Sequence, residues 1–266
     1  MFIFAIGGGS DFYSATLIAR SLQFVDYTIF TSLAPEMLGD QIDIPSTIEK
    51  YSNRAEYTLF SEDGWPLFRD NRGPSAYGLV VTSPTAGEAF ESMLAKFTQV
   101  FPARVVDSEL IAVDTGGDSL RGLVGGMGQN DVSDIFDNRV DTRDVNTIEF
   151  IRRISSGPLE LYILGPGSDG ETTDSELVSA SGDLRRNSIP KVKLIRMGSM
   201  FEFLPLFDEV KGWQNPTPGS TIANIRRAMD CDDEVVKVEL ERRGVMVGSV
   251  SAKFLRSYWK LSIEQP

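Results

Sequence analysis

Three short apolar runs in this 266-residue chain each end in a glycine-rich turn that carries aspartate. They are Phe4-Ala5-Ile6-Gly7-Gly8-Gly9-Ser10-Asp11, Ile111-Ala112-Val113-Asp114-Thr115-Gly116-Gly117-Asp118 and Tyr162-Ile163-Leu164-Gly165-Pro166-Gly167-Ser168-Asp169-Gly170-Glu171. A short apolar run closed by a turn signal reads as a buried strand. Residues 11–23 follow the first run with Phe12, Ala15, Leu17, Ile18 and Leu22 at helical spacing. Strands alternating with helices predict βαβ units and a mostly parallel sheet.

The same alternation continues along the chain. Strands are expected at residues 27–31, 78–82, 110–113, 159–164 and 192–197. Helices are expected over 88–101, 145–155, from 174 onward, and over 221–229 with Ser220 as N-cap. Residues 200–207 read as an apolar helix packed on the sheet. The last 35 residues alternate apolar and polar positions, which predicts an antiparallel edge or a small terminal cover. The expected architecture is therefore α/β: a three-layer, Rossmann-like, mostly parallel sheet flanked by helices, with a small antiparallel C-terminal extension. One domain is expected over residues 1–266.

In open parallel sheets ligands bind at the carboxyl ends of the strands. Glycines there let backbone N–H groups approach a ligand, and a helix starting there adds positive dipole. The three turns thus nominate a ligand-binding set: Gly7, Gly8, Gly9, Ser10, Asp11, Asp114, Thr115, Gly116, Gly117, Gly167 and Ser168. Arg143, in front of Asp144 at a helix start, adds a guanidinium for an anionic substrate.

The chain has no histidine and one cysteine, Cys231. Imidazole catalysis, histidine-dependent triads, cysteine-rich zinc sites and an intrachain disulfide are all excluded. Proton transfer then falls to carboxylates, and Asp118, Asp169 and Glu171 are the nominated catalytic residues. The metal and cofactor requirement is unknown; an oxygen-liking Mg²⁺ is the ion such carboxylates would hold. Cys231 sits between acidic neighbours that disfavour its thiolate.

Known fingerprints give little. The first turn departs from G-x-G-x-x-G at Phe12. Gly165–Gly170 matches it after a strand, but acidic residues crowd the phosphate position and Lys191-Val192-Lys193 replaces the expected ribose carboxylate. There is no Walker A motif and no G-x-S-x-G elbow. The stripe Asp134, Asp137, Asp141 and Asp144 shares one helix face and reads as solvated surface. A net charge of −12 disfavours nucleic acid and anionic membrane as partners. No apolar stretch is long enough to span a bilayer, and the first residues read as a strand, so a cytoplasmic location is expected. A homo-oligomer is open.

Taken together, Ile6-Gly7-Gly8-Gly9-Ser10-Asp11, Val113-Asp114-Thr115-Gly116-Gly117-Asp118 and Gly165-x-Gly167-x-Asp169-Gly170-Glu171 resemble an uncharacterised microbial family of Rossmann-like α/β proteins. Arg143-Asp144 fits between the second and third motifs. The resemblance implies a single-domain Rossmann-like fold and a shared pocket, but no reaction. The stretches 122–128 and 45–84 depart from it.

The functional expectation is a small-molecule enzyme with carboxylate acid/base or Mg²⁺-assisted chemistry. Its ligand would be an anionic, nucleotide-like or amino-acid-derived metabolite, and the reaction a hydrolysis, group transfer or cyclisation. The alternatives are a non-catalytic ligand- or partner-binding module and an NAD-dependent oxidoreductase using Gly165–Gly170.

Overall fold

The structure is a computed structural model, and it describes residues 1–6, 10–25, 27–31, 57–62, 65–70, 76–79, 87–101, 110–117, 119–120, 142–155, 157–170, 172–189, 191–216, 218–232, 234–238 and 248–264. It is a mixed α/β fold with a mostly parallel sheet flanked by helices, plus a small two-stranded antiparallel sheet. The chain divides into two compact units, residues 1–112 with 142–159, and residues 113–141 with 160–264.

In the first unit five strands lie in the order β3-β4-β5-β2-β1. They are β1 (Phe2–Ala5), β2 (Thr28–Thr31), β3 (Tyr57–Glu62), β4 (Trp65–Asp70) and β5 (Ala76–Leu79). β1 runs parallel to β2 with Phe2 opposite Thr28, and β2 runs parallel to β5 with Thr28 opposite Ala76. β3 and β4 form an antiparallel hairpin, and β4 pairs antiparallel with β5. That hairpin falls in the stretch 45–84 that departs from the family resemblance.

Helix α1 (Ser10–Ser21) follows β1 with Asp11 in its first turn and Arg20 in its last, the charge placement that a helix dipole favours. It ends before Leu22, which is 38% exposed. Sequence periodicity put Leu22 on the buried face. The Ser21 hydroxyl instead donates back to the carbonyl of Ile18 at 2.8 Å, and Gln23 takes a φ of 57° that no helix tolerates. Helices α2 (Gly87–Val100) and α3 (Thr142–Ile154) also belong to this unit. Six phenylalanines bind it together: Phe2, Phe4 and Phe30 from the strands meet Phe97, Phe101 and Phe150. Phe97 is central, with ring centroids 5.0 Å from Phe30, 4.9 Å from Phe101 and 5.3 Å from Phe150. Edge-on pairs of this kind add about 0.5–1.5 kcal/mol each beyond their burial.

Strand β6 (Leu110–Thr115) is buried at every position, and the boundary between the units falls inside it. In the second unit the strand order is β6-β7-β11-β8, with β7 (Leu159–Leu164), β8 (Val192–Ser199) and β11 (Ser257–Ile263). β9 (Val235–Val238) and β10 (Gly248–Ser251) form the separate antiparallel pair. The C-terminal extension thus accounts for β9 and β10, but β11 enters the main sheet between β7 and β8. It runs antiparallel to β8, with Ser257 opposite Ser199 and Ile263 opposite Val192. The register breaks where Lys260 faces Arg196 but Leu261 faces Leu194, which leaves Ile195 as an extra residue in a bulge.

Helix α4 (Asp174–Arg185) starts at a capping box. The Glu176 backbone N–H donates to the Thr173 hydroxyl, and the Thr173 backbone N–H donates to the Glu176 carboxylate at 2.7 Å. Helix α5 (Thr221–Asp230) starts at Ser220, whose hydroxyl accepts from Ala223 N–H at 3.2 Å, as the sequence predicts. The one-turn helix α6 (Ala252–Leu255) leads into β11. The apolar stretch 200–207 is a 3-10 turn (Met200–Phe203) followed by a short helix (Leu204–Phe207), with Phe207 stacked on buried Trp213 at 4.5 Å.

Candidate functional site

Two of the three glycine turns lie in the second unit, one after β6 and one after β7. They are laced together by backbone bonds. Gly116 N–H donates to the Leu164 carbonyl at 3.0 Å, and Gly167 N–H donates to the Gly116 carbonyl. Gly165 N–H in turn donates to the Ser257 carbonyl at 2.9 Å. The ends of β6 and β7 are therefore one rigid assembly.

Asp114 is 1% exposed, and its carboxylate accepts from Gly117 N–H at 3.2 Å and from the Ser119 hydroxyl. This is an Asx-type arrangement in which the side chain closes the turn that its own backbone begins. Asp114 was nominated as a ligand contact; these bonds give it the work of holding the Gly116–Gly117 turn in shape. Asp169 comes from the other turn and is 9% exposed. Its side chain lies directly against Gly116. A Cβ on Gly116 would sit 2.6 Å from Asp169 Oδ2, and the φ of +118° at Gly116 would strain any L side chain. Only glycine brings β6 and Asp169 this close.

The later turn is packed by protein. A Cβ at Gly165 would lie 2.3 Å from Ile225 of α5, and one at Gly167 would lie 2.9 Å from Leu177 and 3.0 Å from Val250. Ser168 is wholly buried, its carbonyl accepting from Asn224 Nδ2 at 2.8 Å. Side chains of α4, α5 and β10 thus pack directly against the Cα atoms of these two glycines. Helix α4 also begins only at Asp174, after its own Thr173 cap, and not at the third glycine of the motif.

The other nominated residues are placed as follows. Thr115 is the buried last residue of β6. Ser10 begins α1, and Asp11 is buried in its first turn, both in the first unit. Gly7, Gly8, Gly9, Asp118 and Glu171 lie outside the described residues, as do Asp134, Asp137 and Asp141 of the acidic stripe. Arg143 belongs to α3, and its side chain is likewise outside the description. Among the described residues no cluster of three or more carboxylates or cysteines is placed to hold a metal ion, and no helix is long and apolar enough to cross a membrane.

Asn224 escaped the sequence reading. It sits on the buried stripe of α5 with Ile222, Ile225 and Ala228 and is 1% exposed. A polar residue on an otherwise apolar helix face was the available signal.

Shifted ionisable groups gather on β7 and β11. Burial pushes the Tyr162 hydroxyl up. Burial and the Glu202 carboxylate push Tyr258 up to about 12. Burial works against the Lys260 charge, but Glu160 at 2.6 Å and Tyr162 outweigh it and hold the ammonium above its usual range. With Arg196 bridging to Glu202 at 2.8 Å, these groups satisfy one another as a ladder across the strands.

The chain matches no family model, no curated protein and no solved structure. The class that the fold itself defines is a mixed α/β protein with glycine turns at strand ends, and the function has to be argued from the site.

Proposed function

We propose that this protein is a small-molecule enzyme whose site lies at the Gly116–Gly117 and Asp169 turns, with Asp169 as the acid/base group. The observation that carries this reading is the buried Asp169 carboxyl pressed against Gly116. Buried carboxyl groups held at strand ends by close backbone packing concentrate at functional sites. Asp114 supports it as a positioning residue. Its bonds from Gly117 N–H and Ser119 fix the turn on which Asp169 rests. Glu171, two residues further along the chain, and Asp118, at the end of the second glycine turn, are the carboxylates that the sequence offers beside Asp169, either for the second proton-transfer role or for a Mg²⁺ ion. The membrane and nucleic-acid exclusions of the sequence reading, and a cytoplasmic location, belong to the same proposal.

Dinucleotide chemistry is disfavoured by the side chains that crowd Gly165 and Gly167. A binding module without turnover is the second reading, because Asp114 is engaged in shaping its own turn.

The test is turnover. Purified protein incubated with a metabolite extract, with and without Mg²⁺, should deplete a compound. Asp169→Asn and Asp118→Asn should each abolish that depletion while leaving the melting transition cooperative. Undiminished depletion by both variants sinks the assignment.

A further inference from the structure

The Gly165–Gly170 turn, the residues after it and α5 hold three buried polar side-chain oxygens that take no hydrogen bond among the described residues: Ser168 Oγ, Thr172 Oγ1 and Asn224 Oδ1. All three residues are at most 2% exposed. Native interiors satisfy nearly all such atoms, because a buried polar group without a partner costs much of its lost hydration. Their concentration around one turn therefore points to an outside group that completes them.

We infer that Ser168, Thr172 and Asn224 are specificity-determining residues that take an uncharged, hydroxyl-bearing group of the ligand, such as a sugar. The assignment rests on the site location proposed above and names what that site selects. The chemistry follows from donor and acceptor counts. Asn224 Nδ2 is committed to the Ser168 carbonyl at 2.8 Å, so the amide cannot flip without setting two oxygens against each other. Its Oδ1 can therefore only accept. The two hydroxyls donate and accept. Asp169, the next residue after Ser168, adds a buried carboxyl group. This set asks for a group that donates hydrogen bonds and carries no negative charge. A phosphate would bring negative charge beside the Asp169 carboxyl, whereas a sugar hydroxyl donates and accepts without charge.

In the ligand-free protein these side chains have a measurable consequence of their own. A hydroxyl without a partner contributes nothing to folding, so removing it leaves stability unchanged or improves it. Thermal melts of the full chain and of Ser168→Ala, Thr172→Val and Asn224→Ala, each with D-ribose or inorganic phosphate as probe, read both properties. Ser168→Ala and Thr172→Val should melt at or above the wild-type temperature without probe. D-ribose at tens of millimolar should raise the wild-type transition, and phosphate should not. Ser168→Ala and Asn224→Ala should bind ribose roughly three- to tenfold more weakly. Asn224→Ala also loses its bond to the Ser168 carbonyl and melts lower, so Ser168→Ala is the decisive variant. The inference is overturned if Ser168→Ala and Thr172→Val melt several degrees lower, which would mean a structural water or protein group holds those hydroxyls. It is overturned equally if ribose has no effect on the wild type, or has the same effect on the variants. Turnover by Asp169→Asn is scored separately, so failure of the acid/base reading and failure of this one give different results.

Discussion

Gly116→Ala tests the geometry on which the site depends. The added Cβ would sit 2.6 Å from Asp169 Oδ2, 2.8 Å from its Cγ and 2.9 Å from its Cβ, all well inside contact distance. Two costs follow. Holding an L residue at φ +118° costs on the order of 1–2 kcal/mol. Overpacking against a buried side chain costs about 1–3 kcal/mol. Together they predict a loss of about 2–5 kcal/mol, read by urea unfolding with an unchanged m-value. The two parts separate in a double-mutant cycle. Asp169→Gly removes the three atoms nearest the new methyl, so Gly116→Ala/Asp169→Gly should recover the steric part and keep the backbone part. A favourable coupling of about 1–3 kcal/mol is expected. If Gly116→Ala stays within about 0.5 kcal/mol of wild type, or if the two changes simply add, Asp169 does not rest on Gly116 and the site reasoning fails.

Other positions make independent predictions. Gly165→Ala places a methyl 2.3 Å from Ile225 Cγ1 at a φ of +57°, so the second unit should lose about 2–5 kcal/mol, with partial recovery in Gly165→Ala/Ile225→Ala, both measured by chemical denaturation. Asp114→Ala removes the carboxylate that accepts from Gly117 N–H and the Ser119 hydroxyl and should cost about 2–4 kcal/mol, whereas Asp114→Asn should cost less because one amide oxygen still accepts. Thr173→Ala removes the α4 cap and should lower stability by about 0.5–2 kcal/mol with no change in ligand response. Tyr258 holds its proton more tightly in the folded state, to about 12 against an ordinary 10.0. Its contribution is complete below the unfolded value and is lost as pH rises from 10 to 12. Tyr258→Phe should therefore flatten stability against pH in that window, as followed by circular dichroism melts.

The strand-to-helix alternation was legible because it is local. Apolar runs set β1, β6 and β7, and the Thr173-Asp174-Ser175-Glu176 pattern marks the start of α4 before any tertiary contact is considered. The destination of the last strand was not legible. Alternation in residues 257–263 says that one face is buried, but it carries no information on which neighbours flank the strand. Insertion between β7 and β8 is a long-range choice. The same divide runs through the site. Glycine and aspartate at strand ends located the turns, yet sequence alone could not tell a glycine that admits a ligand from one that admits Ile225. Asp169 was nominated from the glycine on one side of it, but its contact with Gly116 joins residues far apart in the chain. Asn224 was hidden because its role depends on a carbonyl in another element.

The central claim is that Asp169 transfers a proton to or from a small metabolite. The most direct measurement follows an untargeted metabolite mixture by NMR with equal amounts of wild-type protein and Asp169→Asn. A compound consumed by the wild type and left intact by a folded Asp169→Asn variant is the predicted result. Consumption of that compound at the wild-type rate by Asp169→Asn would contradict it.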